Sequence, residues 1–188
     1  MTTDTEIALI QQVKNGKTEA FGQLYDTYIK RIYDFIYYKT MHQQTAEDLT
    51  SDTFFKALRS INKFKDETGS FQAWLYRIAR NTVIDHYRAK KTTVALEDIW
   101  GLGSMDDIEV DVDNKVMIEK IQSHLATLTS EQRDIVILRV WEGLPYKEIG
   151  AIIGKSPEAC KVSFSRTVNK LRAGQLAMLL LLLHRIVI

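Results

Sequence analysis

One cysteine, Cys160, is all that this 188-residue sequence offers, which excludes an internal disulfide and favours a reducing, cytoplasmic setting. The four histidines, His42, His86, His124 and His184, are too dispersed for zinc-type spacing, so no metal site is expected and no cofactor is implied. Prolines number only 2 and glycines 9, too few for a chain of short strands and tight turns. The longest apolar run, Leu176 to Leu183, covers 8 residues, whereas a membrane span needs roughly 20. No membrane span is expected, and the acidic start, with Asp4 and Glu6, is unlike a secretory signal. Clustered carboxylates and paired nucleophile and base are missing too, which argues against an enzyme and against a small-molecule substrate. What is present, 45% apolar and 26% charged residues, suffices for one ordinary helical domain or two small ones.

The formal charge of +1 conceals a pattern. Met1 to Lys91 carries 14 basic against 11 acidic residues, Thr92 to Asn114 carries 0 against 7, and Lys115 to Ile188 carries 11 against 6, giving +3, −7 and +5. Two basic blocks therefore flank an acidic segment that has no base at all. That segment also loses helical periodicity, gathers Gly101 and Gly103 around Trp100, and reads as a linker.

Helical spacing is plain on both sides of it. A short helix over about Thr5 to Val13 ends at Asn15-Gly16. Phe21, Leu24, Tyr25, Tyr28, Ile32, Phe35 and Ile36 then recur on one face, with charges on the others. Thr45 with Asp48 looks like a capping pair opening a third helix, about Ala46 to Ile61. Ser70 can cap a fourth, whose buried stripe is Phe71, Trp74, Leu75, Ile78 and Thr82. Beyond the linker, Asn114 opens a helix to about Leu125, and Thr129 with Gln132 forms a capping box for one reaching Trp141. Pro145 starts a short helix to Ile153, Gly154 breaks it, and Ser156-Pro157 starts a last one to about Arg172. Two helices joined by a tight glycine turn are the helix-turn-helix arrangement, whose second member enters the DNA major groove.

The segment from Phe71 to Arg88 has two readings. As core, its aromatics merely fill one face of a helix. As an interface, Arg77, Arg80, Asn81, Asp85, Arg88, Lys90 and Lys91 share the other surface, with Phe64, Phe71, Tyr76 and Tyr87 nearby. Cations that hold phosphate beside π surfaces that accept unstacked bases are what single-stranded DNA binding requires.

Trp74-Leu-Tyr-Arg-Ile-Ala-Arg-Asn-Thr-Val-Ile-Asp-His-Tyr-Arg88 resembles the promoter-melting segment of extracytoplasmic-function (ECF) RNA polymerase sigma factors of the sigma-70 superfamily. Ala46-Glu-Asp-Leu-Thr-Ser-Asp-Thr-Phe-Phe-Lys-Ala-Leu58 resembles that family's polymerase-binding segment. Leu128-Thr-Ser-Glu-Gln-Arg and Glu142-Gly-Leu-Pro-Tyr-Lys-Glu-Ile-Gly150 resemble its second DNA-binding domain. The likeness runs from about Phe21 to Arg172, and three motifs in order are more specific than any one.

The resemblance implies an all-α chain of two small helical domains: sigma domain 2 over residues 1–91 and a helix-turn-helix sigma domain 4 over 115–175, joined by a flexible acidic linker, 92–114. An apolar tail, 176–188, has no assigned role. It implies that Asp48, Leu49, Asp52 and Phe55 grip a coiled coil of the polymerase β′ subunit, with further contact to the β subunit. Asp48 has helix capping as its alternative role, and Ser51 stands where the family often has glutamine. Around the −10 element it assigns Phe64, Gly69, Arg77, Arg80, Asn81 and Arg88, within and beyond the loop from Asn62 to Ser70 that pockets a flipped base. For the −35 element it assigns Arg139, Lys161, Val162, Ser165 and Arg166, although a solvated helix face explains two basic residues equally well. Cys160 reads as a small buried hydrophobe rather than a redox sensor. Expected partners are core RNA polymerase, promoter DNA and an anti-sigma factor that holds a cytoplasmic protein at the membrane. The rival is a free-standing helix-turn-helix regulator that acts without polymerase.

Overall fold

The computed structural model describes residues 3–65, 69–91, 125 and 127–172, and divides the chain into two compact units, Met1–Thr93 and Val94–Ile188. The linker 92–114 with Trp100, the helix expected from Asn114 except Leu125, and the tail 176–188 lie outside the described residues. Every described element is helical, and no described helix is long and apolar enough to cross a membrane.

The first unit holds α1 (Thr3–Lys14), α2 (Ala20–Thr40), α3 (Gln43–Ser60), a 3-10 turn (Ile61–Lys63) and α4 (Phe71–Lys91). Leu24, Ile32, Phe35 and Ile36 of α2 are fully buried, as the spacing predicts. Tyr25 departs from that stripe: it is 40% exposed and rests edge-on against Phe54, 4.7 Å between centroids. The expected Thr45 and Asp48 cap is displaced. Here α3 starts three residues earlier, and the His42 ring nitrogen Nδ1 accepts from Thr45 N–H at 3.1 Å, a bond that any acceptor at the N-cap can make. Ser70 does cap α4, its Oγ accepting from Ala73 N–H at 3.1 Å.

Facing residues in α4 also differ from the expected stripe. Phe71, Leu75 and Thr82 are buried, but Trp74 and Ile78 are only half-buried, while Tyr76, Ala79 and Val83 go to the core. The reason is that α4 is gripped from two sides, by Phe35 of α2, whose ring meets Tyr76 at 5.2 Å, and by α3, where Lys56 Nζ donates to Thr82 Oγ1 at 3.2 Å. A helix held between two neighbours buries a wider arc than one stripe.

The second unit holds α5 (Ser130–Val140), α6 (Tyr146–Ile153) and α7 (Pro157–Arg172). The capping box forms as predicted: Thr129 Oγ1 accepts from Gln132 N–H at 3.2 Å, and Gln132 Oε1 accepts from Thr129 N–H at 3.1 Å. Arg133 is buried and satisfied by the carbonyls of Leu125 and Leu128. Gly154 closes α6 at φ 77°, in the left-handed region where a side chain is strained. Ser156 Oγ then accepts from Ala159 N–H at 3.1 Å and caps α7, which starts at the next residue, Pro157.

Candidate nucleic-acid interfaces

On α4, Arg77, Asn81 and Arg88 are exposed, and Arg80 is half-buried. Arg77, Asn81 and Arg88 fall at spacings of four and seven, so they run along one side of the helix in about three turns. Arg88 also lies 3.9 Å from Asp85, a solvent-screened pair that constrains it weakly. An amide between cations is a surface that can bond a base edge while phosphates are held.

Three aromatic residues expected near this surface, Phe64, Phe71 and Tyr76, are instead core. Tyr76 is fully buried. Phe64 is 4% exposed, with its ring 5.7 Å from Phe71 and 5.5 Å from Trp74. Phe64 therefore anchors the loop instead of offering a free face to a base. Lys14, which the sequence reading missed, completes that anchor: its Nζ donates to Phe64 carbonyl at 2.7 Å and sits 5.6 Å above the ring. Gly69 takes φ 142°, a backbone favouring glycine, and residues 66–68 between these two points lie outside the described residues. Asn62, Lys63 and Lys65 are exposed around the anchor. The spacing of Ile61 and Phe64, both buried, was the available signal that their neighbours point outward.

The third surface lies on α3. Asp48 and Asp52 are exposed, and Phe55 is 59% exposed with the Arg59 guanidinium 5.5 Å over its ring. Leu49 does not join them. It is 6% exposed on the core face, because a helix that buries Ala46, Thr53 and Ala57 buries position 49 with them. Asp48 is also felt across the helix pair by His86 of α4. Burial lowers the His86 pKa from its ordinary value, Lys90 lowers it further, and Asp48 opposes both. His86 Nε2 is buried without a hydrogen-bond partner.

In the second unit α7 presents Lys161, Val162, Ser165 and Arg166 to solvent, and turns Cys160, Thr167 and Leu171 inward. Cys160 is fully buried, with its thiol pKa raised chiefly by that burial, so it is an inert core residue. Arg139 is the exception among the expected contacts. Its Nη1 donates to Leu144 carbonyl at 2.9 Å and its guanidinium stacks 4.8 Å from the Tyr146 ring, so it braces the α5–α6 turn. Gly150 lets the next turn, between α6 and α7, close: a Cβ there would stand 2.5 Å from Lys155 carbonyl oxygen.

The second unit is thus a helix-turn-helix module with a cationic, exposed second helix, joined in one chain to a helical unit with its own basic face. Comparison with known proteins extends this class. Residues 24–93 match the model of Sigma-70 region 2, and residues 118–171 match Sigma-70, region 4. The ECF RNA polymerase sigma factor SigW of Bacillus subtilis is 32% identical, over 87% of this chain and 92% of its own. The ECF sigma factor BldN of Streptomyces coelicolor is 34% identical over 87% of this chain, which spans only 63% of BldN. Among solved structures, CnrH in complex with the cytosolic domain of CnrY has a TM-score of 0.72 at 23% identity, covering 90% of this chain and 96% of its own. RpoE of Bartonella quintana, solved with the anti-sigma factor NepR, has 0.64 at 24%, covering 81% and 94%. These two likenesses concern the fold. The chain belongs to the ECF RNA polymerase sigma factors.

Proposed function

We propose that this chain binds core RNA polymerase and directs it to particular promoters, reading −35 duplex DNA with its second unit and capturing the −10 non-template strand with its first. The observation that carries this is the presence in one chain of two exposed cationic helix faces of different character. The α7 face belongs to a helix-turn-helix, a duplex reader. The α4 face stands beside an aromatic-anchored loop, which suits an unpaired strand. The domain limits follow as residues 1–91 and 115–175, with the acidic stretch 92–114 between them.

Within the first unit, Arg77, Arg80, Asn81 and Arg88 with Gly69 carry the −10 role, and Phe64 supports the loop from inside. Asp48, Asp52 and Phe55 form the polymerase surface, an exposed acidic and aromatic ridge on α3, with Leu49 beneath it. Lys161, Val162, Ser165 and Arg166 carry the −35 role, and Arg139 holds the α5–α6 turn that precedes them in the chain. The protein contributes binding, the polymerase the chemistry. No catalytic group of its own is invoked, and it acts in the cytoplasm, where promoter and polymerase are. An anti-sigma factor is a further expected partner, as RpoE of Bartonella quintana was solved in complex with one.

Run-off transcription with core polymerase on a promoter library tests this reading. Sequence-specific transcripts that depend on the added chain are expected. Binding to duplex DNA with no association to core polymerase would replace it with a free-standing regulator.

A further inference from the structure

Val162 is one of three large hydrophobic side chains exposed among the described residues, at 48%. The other two each meet a neighbour, Tyr25 resting on Phe54 and Phe55 lying under Arg59. Val162 sits instead on the rim of a shallow groove lined by Gln132, Glu158, Ala159, Val162, Ser163 and Arg166. The geometry points to a thymine site: this groove receives the 5-methyl group of one thymine in the −35 duplex. The inference deepens the promoter-reading role proposed above and rests on it.

Three features support the assignment. Helix α7 is anchored through Cys160, Thr167 and Leu171, all buried. At about 100° per residue, Val162 lies roughly 200° around the helix from Cys160, almost opposite that anchor. It therefore projects farthest when α7 lies in a major groove. Second, the thymine methyl is the apolar group that unmodified base pairs present in that groove, and valine beside alanine suits it. Third, Glu158 lines the groove. A carboxylate there disfavours phosphate, so the groove suits a base edge, while Arg166 of the same lining and exposed Lys161 outside it reach the flanking backbone or a guanine.

The test uses holoenzyme assembled from the full chain and core polymerase, on a promoter it transcribes. Each thymine of the −35 element, on both strands, is replaced singly by deoxyuridine, which removes only the methyl. One replacement is expected to weaken closed-complex binding about four-fold, the equivalent of ~0.8 kcal/mol for one buried methyl. Val162→Ala should weaken binding to the unmodified duplex and abolish the difference between thymine and deoxyuridine at that position. Val162→Thr keeps the shape of the side chain and guards against misfolding; it too should shrink the difference. A flat deoxyuridine scan, or a sensitivity undiminished in both variants, overturns the thymine site while normal −35 discrimination leaves the promoter-reading role standing. Holoenzyme indifferent to −35 sequence overturns that role and the site together.

Discussion

Gly150→Ala is expected to damage the second unit, although alanine is the better helix former. Gly150 lies inside α6, where alanine for glycine ordinarily adds about 0.8–1.0 kcal/mol. Against that, the new Cβ would stand 2.5 Å from Lys155 carbonyl oxygen, 3.5 Å from Pro157 nitrogen and 3.6 Å from Lys155 carbonyl carbon. Ordinary contact begins at 3.4 Å, so the turn must yield by about 0.9 Å. Every obstructing atom is backbone, with no side chain to swing aside. Yielding also pulls on the two bonds that close the turn, Gly154 N–H and Lys155 N–H to Gly150 carbonyl, at 2.8 and 3.0 Å. Overpacking costs about 1–3 kcal/mol, and a clash with backbone alone falls in the upper half of that range, so after the propensity gain a net loss of about 1–2 kcal/mol is expected. Hydrogen exchange at the α6 amides should accelerate roughly 5- to 30-fold, and −35 duplex affinity should fall because α7 is displaced. Gly22→Ala in α2 is the matched control, since nothing lies within 4 Å of its Cβ; it should be neutral or stabilising. Unchanged exchange and unchanged duplex affinity in Gly150→Ala would refute the close-approach argument.

Asp48→Arg and Asp52→Arg should abolish association with core polymerase while circular dichroism stays native, because both acids are exposed; unaltered affinity for core removes α3 from that role. Lys161→Ala and Arg166→Ala should each weaken closed-complex binding and lower its salt slope by roughly one unit, read from affinity titrations in salt. Asn81→Ala should spare duplex −35 binding but reduce permanganate-detected opening, and a pre-melted bubble should restore opening without restoring −10 base preference. His86 supplies a pH dependence: its pKa is held below 6.5, chiefly by burial, so the unfolded chain takes up the proton more readily. Stability from the neutral form is complete above 6.5 and is lost as pH falls through 6.5 toward the lower folded value. Urea midpoints at about pH 7.5 and 5.5 should differ less in His86→Gln than in the parent chain, and equal acid losses contradict this.

Local chemistry decided much of this molecule, and it is visible in the sequence because it needs only near neighbours. The Thr129 and Gln132 capping box, the Ser70 and Ser156 caps and the Gly154 stop each join residues within three or four positions, and all form where the spacing places them. Periodicity likewise locates the described helices of both units. The side of each helix that meets a partner is a different matter, settled by residues far away in the chain. Tyr76 and Phe64 look like ligand-facing aromatics until Phe35, Phe71 and Trp74 enclose them, and Leu49 looks like part of an exposed ridge until α3 settles against its neighbours. Arg139 reads as a DNA contact in sequence, but the fold brings it the Leu144 carbonyl and the Tyr146 ring. Even the α3 cap moved, because His42 supplied a nitrogen acceptor before Thr45 could supply an oxygen. Helices and their ends follow from spacing, whereas exposure is a property of packing, and it took the tertiary structure to separate the groups that can meet DNA or polymerase from those that hold the surface in place.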